Sequence, residues 1–122
     1  MKFNSHHFCI KAADLQRSMK FYQEALGFEE PTIIRHMPGV TSCFLQAGDR
    51  NLRIQLLEGA GPAEGGAGYG HLGMQTDDIR KSFEFHEGLG CVSDKIVEQP
   101  YQFGYFIQDP DGYKTEIVQL KN

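Results

Sequence analysis

The sequence of 122 residues contains no tryptophan, only three cysteines and no long apolar run. Without roughly 20 consecutive apolar residues, no helix is expected to cross a bilayer. The N-terminus, MKFNSHHF, lacks the apolar region of a secretory signal peptide. The formal net charge of −4 argues against a nucleic-acid partner, because nucleic-acid-binding domains are usually basic. These absences predict a cytoplasmic protein whose partners include neither a membrane nor a nucleic acid.

The cysteines are Cys9, Cys43 and Cys91, an odd number at no spacing that is typical of metal sites. Each lies in an apolar, strand-like context. We therefore predict buried free thiols in a reducing compartment rather than disulfides or thiolate metal ligands.

The two halves of the sequence repeat one another. At an offset of 64 residues (71 − 7), His71 aligns with His7 and Asp78 with Asp14. Further matches at this offset are Ile79 with Leu15, Lys81 with Arg17, Ser82 with Ser18 and Phe85 with Phe21. A recurring unit of this size predicts two modules of one architecture. We predict a single domain with module one at 1–58, a flexible Gly-rich linker at 59–69 and module two at 70–122.

Module one is predicted to have the order βαβββ. A short strand over 7–12 precedes a helix that begins after Asp14 and ends at Gly27. The apolar stripe of this helix is Leu15, Met19, Tyr22 and Leu26. The remaining strands are predicted at 32–37, 41–46 and 52–58. The first of these should lie at a sheet edge, because Pro31 cannot donate to a ladder.

Module two is predicted to repeat this order. A strand over 70–76 leads to a helix that is capped by Asp77 or Asp78 and ends at Gly88 and Gly90. The stripe of this helix is Ile79, Phe83, His86 and Leu89. Strands follow at 92–98, 103–108 and 113–120, and the turn signal Asp109-Pro110-Asp111-Gly112 separates the last two.

Superposing the closing hairpins, with one deletion in the turn, aligns Gln55 with Glu116. If the two modules are related by a near two-fold axis and their sheets face one another, His7, His71, Gln55 and Glu116 converge. Taken singly, each of these is an ordinary strand residue, and His6 should face solvent on the other side of its strand. Together they are donors that suit Zn²⁺, Ni²⁺, Mn²⁺, Co²⁺ or Fe²⁺, with positions left for a chelating substrate.

The segments HHFCIKAADLQRSMKFYQEALGF, GHLGMQTDDI and DPDGYKTEI resemble the vicinal oxygen chelate superfamily, and within it the glyoxalase I (lactoylglutathione lyase) family. The resemblance implies an α+β fold of two tandem βαβββ modules in a cupped, eight-stranded mixed sheet, the glyoxalase/bleomycin resistance/dioxygenase fold. It also implies a homodimer whose sites lie between subunits. The implied cofactor is a divalent metal, Ni²⁺ or Zn²⁺ before the other ions, held by His7, Gln55, His71 and Glu116.

The activity implied is that of a carbon–sulfur lyase in methylglyoxal detoxification. Such an enzyme isomerises a 2-oxoaldehyde–thiol hemithioacetal to a 2-hydroxyacyl thioester. A carboxylate beside the metal moves the proton, and Glu116 is the only carboxylate among the four candidate ligands.

The sequence departs from the family pattern at four places. Gln55 stands where glyoxalase I usually has Glu, and an amide cannot act as a base. Lys11 and Gly59 replace the Arg and Asn that typically hold glutathione. The basic, Gly-rich loop before the closing hairpin is replaced by residues 98–102. Lys11, Tyr101 and Phe103 are the candidate substrate-binding residues, and the thiol carrier stays open.

Three other functions remain as alternatives. The ligand set also resembles methylmalonyl-CoA epimerase, but the stretch 41–45 holds no acid for the second base which that reaction needs. A fosfomycin-modifying thiol transferase shares the two His and the Glu. A non-catalytic small-molecule or antibiotic-binding protein of the superfamily would lack the metal ligands altogether.

Overall fold

The computed structural model describes residues 1–64 and 70–121. The chain divides into two compact units, Met1–Ala63 and Glu64–Asn122. Each unit has the predicted order βαβββ, so the α+β class and the tandem modules are confirmed. Part of the predicted linker, residues 65–69, lies outside the described residues, and the predicted module limits at 58 and 70 stay predictions.

Each unit consists of one helix and one mixed four-stranded sheet. The first contains β1 Phe8–Lys11, α1 Leu15–Leu26, β2 Glu29–Met37, β3 Val40–Gln46 and β4 Arg53–Glu58. The second contains β5 Leu72–Gln75, α2 Ile79–Leu89, β6 Val97–Glu98, β7 Gln102–Gln108 and β8 Lys114–Leu120. The strand orders are β1-β4-β3-β2 and β5-β8-β7-β6. In each sheet the first strand pairs in parallel with the closing strand, and the other pairs are antiparallel.

The helix ends follow the predicted capping residues. The side chains of Asp14 and Asp78 accept hydrogen bonds from the backbone N–H groups of Arg17 and Lys81, at 3.2 and 3.1 Å. Gly27 (φ 68°) and Gly90 (φ 75°) end the helices in the left-handed conformation, which costs glycine little. Gly88, which we predicted as part of the second helix end, lies inside α2 instead.

The helix side of each sheet forms the core of its unit. Alternation along β4 buries Ile54 and Leu56, while Thr115 and Ile117 are buried at the matching places of β8. Tyr22 and Tyr105 are the largest fully buried side chains. The opposite side of each sheet carries the remaining, more polar residues of the closing strand, which include Gln55 and Glu116. Strand alternation therefore places both candidate ligands on the sheet side that faces away from the helix.

Three expectations from the sequence are corrected. The strand predicted over 92–98 is reduced to β6, because Val92 makes only an isolated bridge to Ile107. Cys9 is exposed rather than buried, whereas Cys43 is buried and Cys91 half-buried, and all three thiols are free. Strand β2 does lie at a sheet edge, as predicted, but begins at Glu29 and so includes Pro31. Within the described ranges, no helix is long and apolar enough to cross a membrane.

Candidate metal site

The second unit places His71 beside Glu116. Nε2 of His71 lies 3.4 Å from Oε1 of Glu116, which is longer than a normal hydrogen bond. His71 directly precedes β5, and Gly73 of that strand pairs with Glu116 of β8. Two ligands bonded at about 2.1 Å to one ion, with a near-tetrahedral angle, lie about 3.4 Å apart. The spacing of this imidazole and this carboxylate therefore suits a shared divalent ion.

Two neighbours, Phe106 and Gln102, define the surroundings of this pair. Phe106 pairs across the strands with Glu116, and its ring meets the His71 ring edge-on at 5.3 Å. Nε2 of Gln102 donates to Oε2 of Glu116 at 3.5 Å. The Glu116 side chain is 24% exposed, so its carboxylate is accessible to a small ligand. The carboxylate thus has one oxygen toward His71 and the other toward Gln102.

The first unit repeats the histidine, the phenylalanine and the strand register of this arrangement. His7 directly precedes β1, and Cys9 of that strand pairs with Gln55 of β4. Phe44 pairs with Gln55, and its ring meets the His7 ring edge-on at 5.2 Å. This register confirms that Gln55 and Glu116 are equivalent, an alignment that the sequence allowed only with a deletion in the turn.

A cation lies over the phenylalanine ring in both units. The guanidinium of Arg53 is 4.2 Å from the centre of the Phe44 ring. The ammonium of Lys114 is 5.7 Å from the centre of the Phe106 ring. Each cation lies two residues before its Gln or Glu and therefore on the same face of the sheet. Sequence reasoning missed these cations, although their spacing from Gln55 and Glu116 is the same in both halves.

His6 contacts His7, which the sequence did not predict. Their Nδ1 atoms are 2.7 Å apart, so one ring donates a hydrogen bond to the other. This bond occupies Nδ1 of His7 and leaves Nε2 as the nitrogen that could bind a metal. His6 is exposed, as expected, and its counterpart in the repeat, Gly70, has no side chain to offer.

The two remaining histidines lie elsewhere. Nε2 of His36 is 2.7 Å from Oγ of the buried Ser42. His86 is buried on α2, and its Nδ1 lies 2.7 Å from the hydroxyl of Tyr105. Burial raises the pKa of Tyr105 to about 12. His86 was predicted correctly as a residue of the helix stripe. Its hydrogen bond to Tyr105 was not predicted, because helix periodicity carries no information about contacts between residues so far apart in the sequence.

The four predicted ligands thus form two pairs, one in each unit. Across residues 1–64 and 70–121, no three His, Cys, Asp or Glu side chains cluster as a metal site would require. His71 and Glu116 are in contact, and His7 and Gln55 share contacts with Phe44. The complete set of four stays a prediction.

Comparison with known proteins places this arrangement in a family. The model of the Glyoxalase/Bleomycin resistance protein/Dioxygenase superfamily matches residues 4–117, nearly the whole chain. The chain belongs to this superfamily. The matched range includes all four predicted ligands, His7, Gln55, His71 and Glu116.

Several relatives of this chain carry lactoylglutathione lyase names. The chain is 31% identical to the lactoylglutathione lyase of Haemophilus influenzae over 95% of its own length and 92% of that protein. It is 33% identical to the probable chloroplastic lactoylglutathione lyase of Arabidopsis thaliana over 93% of its length. The chain spans only 35% of the Arabidopsis protein, which is therefore much longer.

Solved superfamily structures cover several functions. Glyoxalase I from Zea mays matches with a TM-score of 0.77 and 27% identity, over 95% of this chain and 44% of that one. The fosfomycin resistance protein FosX from Listeria monocytogenes matches with a TM-score of 0.79 at 19% identity, over 98% and 94%. TnmS3, an antibiotic binding protein from Streptomyces, matches with a TM-score of 0.76 at 21% identity, over 99% and 100%. At these last two identities the likeness concerns the fold alone.

The predicted substrate-binding residues belong to both units, Lys11 to the first and the other two to the second. Lys11 is exposed, and its ammonium lies against the backbone near Gly61. Tyr101 is 62% exposed at the start of the closing hairpin. Phe103 pairs with Gln119, which bonds the start of α2, so Phe103 lies on the helix side, away from Glu116. The structure therefore does not bring Phe103 to the candidate metal ligand, and the roles of all three residues stay predictions.

Gly59, where the family's glutathione-binding Asn would stand, has no room for a side chain. Its φ is +92°, and a Cβ atom built on it would overlap the carbonyl oxygen of Gly39. The turn after β2 thus occupies the space that an Asn side chain would need. This departure from the glyoxalase I pattern is fixed by backbone packing.

Proposed function

We propose that this protein is a metal-dependent lyase of the glyoxalase I type. It would isomerise the hemithioacetal of a 2-oxoaldehyde and a thiol to a 2-hydroxyacyl thioester. Its metal ligands would be His7, Gln55, His71 and Glu116, with Ni²⁺ or Zn²⁺ as the ion. The observation that carries the proposal is the 3.4 Å spacing of His71 Nε2 and Glu116 Oε1, together with the matching register of His7 and Gln55.

The chemistry is divided between the ion and Glu116. A bound divalent ion supplies a Lewis acid that stabilises negative charge on two neighbouring substrate oxygens. Glu116 removes the proton from the thiol-bearing carbon and returns it to the adjacent carbon, so that the overall change is an isomerisation. Gln102 donates to Oε2 of Glu116 and so orients the carboxylate. The amide of Gln55 cannot accept a proton, which confines the transfer to the Glu116 side.

The epimerase alternative is less well supported. Epimerisation needs a second base on the opposite side of the substrate. The strand that would supply it, β3, has the sequence VTSCFLQ and contains no acidic residue. A single base suits a reaction that takes and returns the proton on one face.

The substitution Glu116→Gln tests the proposal. It keeps the size of the side chain and an oxygen ligand but removes the base, so we expect kcat to fall by roughly 10²- to 10⁴-fold. Metal content and folding should change little. The matched control is Glu98→Gln, which alters an exposed carboxylate of the same unit and should retain activity.

Metal analysis decides between this enzyme and a binding protein of the same fold. The purified protein should hold close to one divalent ion per chain. It should turn over hemithioacetals of methylglyoxal with Ni²⁺, Zn²⁺ or Mn²⁺. Less than about a tenth of an ion per chain after reconstitution would contradict the metal site. Full activity in Glu116→Gln would contradict the role of the carboxylate.

A further inference from the structure

A cavity of about 190 Å³ lies directly beside Glu116, within the second unit. The β7 residues Gln102, Gly104 and Phe106 form its inner wall together with Glu116. The irregular segment after α2 forms its rim through Lys95, and Gln99 closes the rim next to β7. A ligand in this cavity would therefore touch the carboxylate to which we assign the proton transfer.

Gly104 keeps the floor of the cavity open. A Cβ atom at Gly104 would lie 3.3 Å from Oε2 of Glu116 and 3.6 Å from Nε2 of Gln102. The matching residue of the first unit is Ser42, because Ser42 pairs with Leu57 as Gly104 pairs with Val118. Ser42 is fully buried and hydrogen-bonded to His36. The second unit thus has no side chain at the place beside its closing strand that a buried serine occupies in the first.

The size of the cavity limits what it can hold. Sites for whole drug-sized ligands are typically about 300–1,000 Å³. A volume of about 190 Å³ accommodates a fragment of a few heavy atoms, and not a peptide-sized thiol carrier. Of the two groups attached to the reacting carbons, only the short substituent of the 2-oxoaldehyde fits.

The polar groups indicate which substituent is preferred. Five polar residues line the cavity, namely Asp94, Lys95, Gln99, Gln102 and Glu116, and the remaining lining residues are Val97, Gly104, Tyr105 and Phe106. Amides donate and accept hydrogen bonds, as a hydroxyl group does. A site with such groups discriminates against a ligand that leaves them unpaired.

We propose that this cavity is a subsite for a short hydroxylated substituent on the carbonyl carbon of the substrate. Gln99 hydrogen-bonds that hydroxyl from the rim, and Gly104 provides the space. The inference rests on the proposed function, since it assumes that the substrate chelates an ion next to Glu116. It extends that function by naming hydroxylated 2-oxoaldehydes, such as hydroxypyruvaldehyde, as the preferred class over methylglyoxal.

Binding of chelating 2-hydroxy acids tests the subsite without turnover. Glycolate, lactate and glycerate carry H, CH₃ and CH₂OH at the relevant position and serve as probes of the Ni²⁺-loaded protein in calorimetric titrations. We expect glycerate to bind about tenfold more tightly than lactate, the effect of one net hydrogen bond. Gln99→Leu should abolish this preference and leave glycolate binding unchanged. The matched control is Gln108→Leu, which replaces an exposed amide side chain at the end of β7, outside the cavity.

The outcomes separate the subsite from the lyase. Equal binding of lactate and glycerate to the wild-type protein, or a preference that survives Gln99→Leu, would overturn the subsite. Failure of the loaded protein to bind glycolate would remove the chelation premise and the subsite with it. If the preference and its loss in Gln99→Leu are observed but no hemithioacetal is turned over, the subsite stands and the proposed lyase activity falls.

Discussion

Tyr105 is the residue in which burial has the clearest chemical consequence. Its hydroxyl donates to Oγ of Ser82 at 2.8 Å, so the nearby Nδ1 of His86 must be the donor to Tyr105. Ser82 in turn donates to the carbonyl oxygen of Ile79 at 3.2 Å. This row of hydrogen bonds joins β7 to α2 in the core and fixes the Nδ1-protonated form of His86.

The alkaline stability of the protein should reflect this environment. Tyr105 is 1% exposed, and burial raises its pKa from 10 to about 12. Between these values the unfolded chain loses the proton while the folded protein keeps it, so the free energy of unfolding falls as pH rises, by about 2 kcal/mol. Urea unfolding at pH 9 and pH 11.5 measures the loss, and absorbance at 295 nm follows the ionisation.

The control for this effect is Tyr105→Phe. This variant should be less stable at neutral pH by about 1–3 kcal/mol, because the polar groups of His86 and Ser82 lose a partner. It should, however, lose about 2 kcal/mol less than the wild type between the two pH values. Equal losses in both proteins would show that Tyr105 does not titrate as its burial requires.

The two helices are held at their first turns by side chains from the closing strands. Oε2 of Glu58 accepts a hydrogen bond from the N–H of Leu15 at 2.7 Å. Oε1 of Gln119 accepts one from the N–H of Ile79, also at 2.7 Å. Glu58 and Gln119 are equivalent in the repeat, so each closing strand satisfies a backbone donor that the helix itself cannot.

Removing either side chain should cost stability. Glu58→Ala and Gln119→Ala are each expected to lower the free energy of unfolding by about 1 kcal/mol, since an N-terminal N–H loses its acceptor. Glu58→Gln should cost only a few tenths, because an amide oxygen serves the same purpose at Gln119. Urea unfolding measures these values, and Glu84→Ala on the exposed side of α2 is the control. A loss in the control as large as in the cap variants would contradict the assignment.

For single helices and strands, the sequence predicts features that depend on neighbouring residues. It misses contacts between residues that are far apart in the sequence. Asp14, Gly27, Asp78 and Gly90 act within one turn of their own helices, and their capping roles followed from residue type. The Glu58 and Gln119 contacts span 43 and 40 residues, so no local pattern indicates them. The strand predicted over 92–98 is interrupted, because pairing with β7 is limited to the bridge at Val92 and to the two residues of β6.

The prediction of the candidate site rests on a different signal, namely the internal repeat of the whole chain. Equivalence with His7 singled out His71, and the hairpin alignment paired Gln55 with Glu116. The cavity beside Glu116 could not be predicted, because it depends on how Gly104 packs against the carboxylate. The departure of module two from module one, rather than their likeness, creates this space.

At the scale of the molecule, we expect two chains to associate. The edge strand β2 is exposed over its full length and carries Ile33, Ile34 and Met37, an apolar surface of the kind that association covers. If each ion takes one ligand pair from each chain, a chain defective in one pair can complement a chain defective in the other. Mixing His7→Ala with Glu116→Gln chains creates that situation.

A heterodimer of these two chains, purified through different affinity tags, should have about half of the wild-type activity, because one of its two sites is intact. Each variant alone should be inactive, and sedimentation should give twice the mass of the chain. A heterodimer no more active than its parents would mean that both ligand pairs of a site come from the same chain. A monomeric wild-type protein would contradict the association itself.

The packing of Gly59 against Gly39 has a consequence for the evolution of this protein. An Asn at position 59 would be rejected in the present background, because its Cβ overlaps the carbonyl oxygen of Gly39. A lineage from this chain toward an enzyme with an Asn at position 59 would first have to remodel the turn at residue 39. The order of mutations is therefore constrained, because changes in the turn at residue 39 must precede the substitution of Gly59 by Asn.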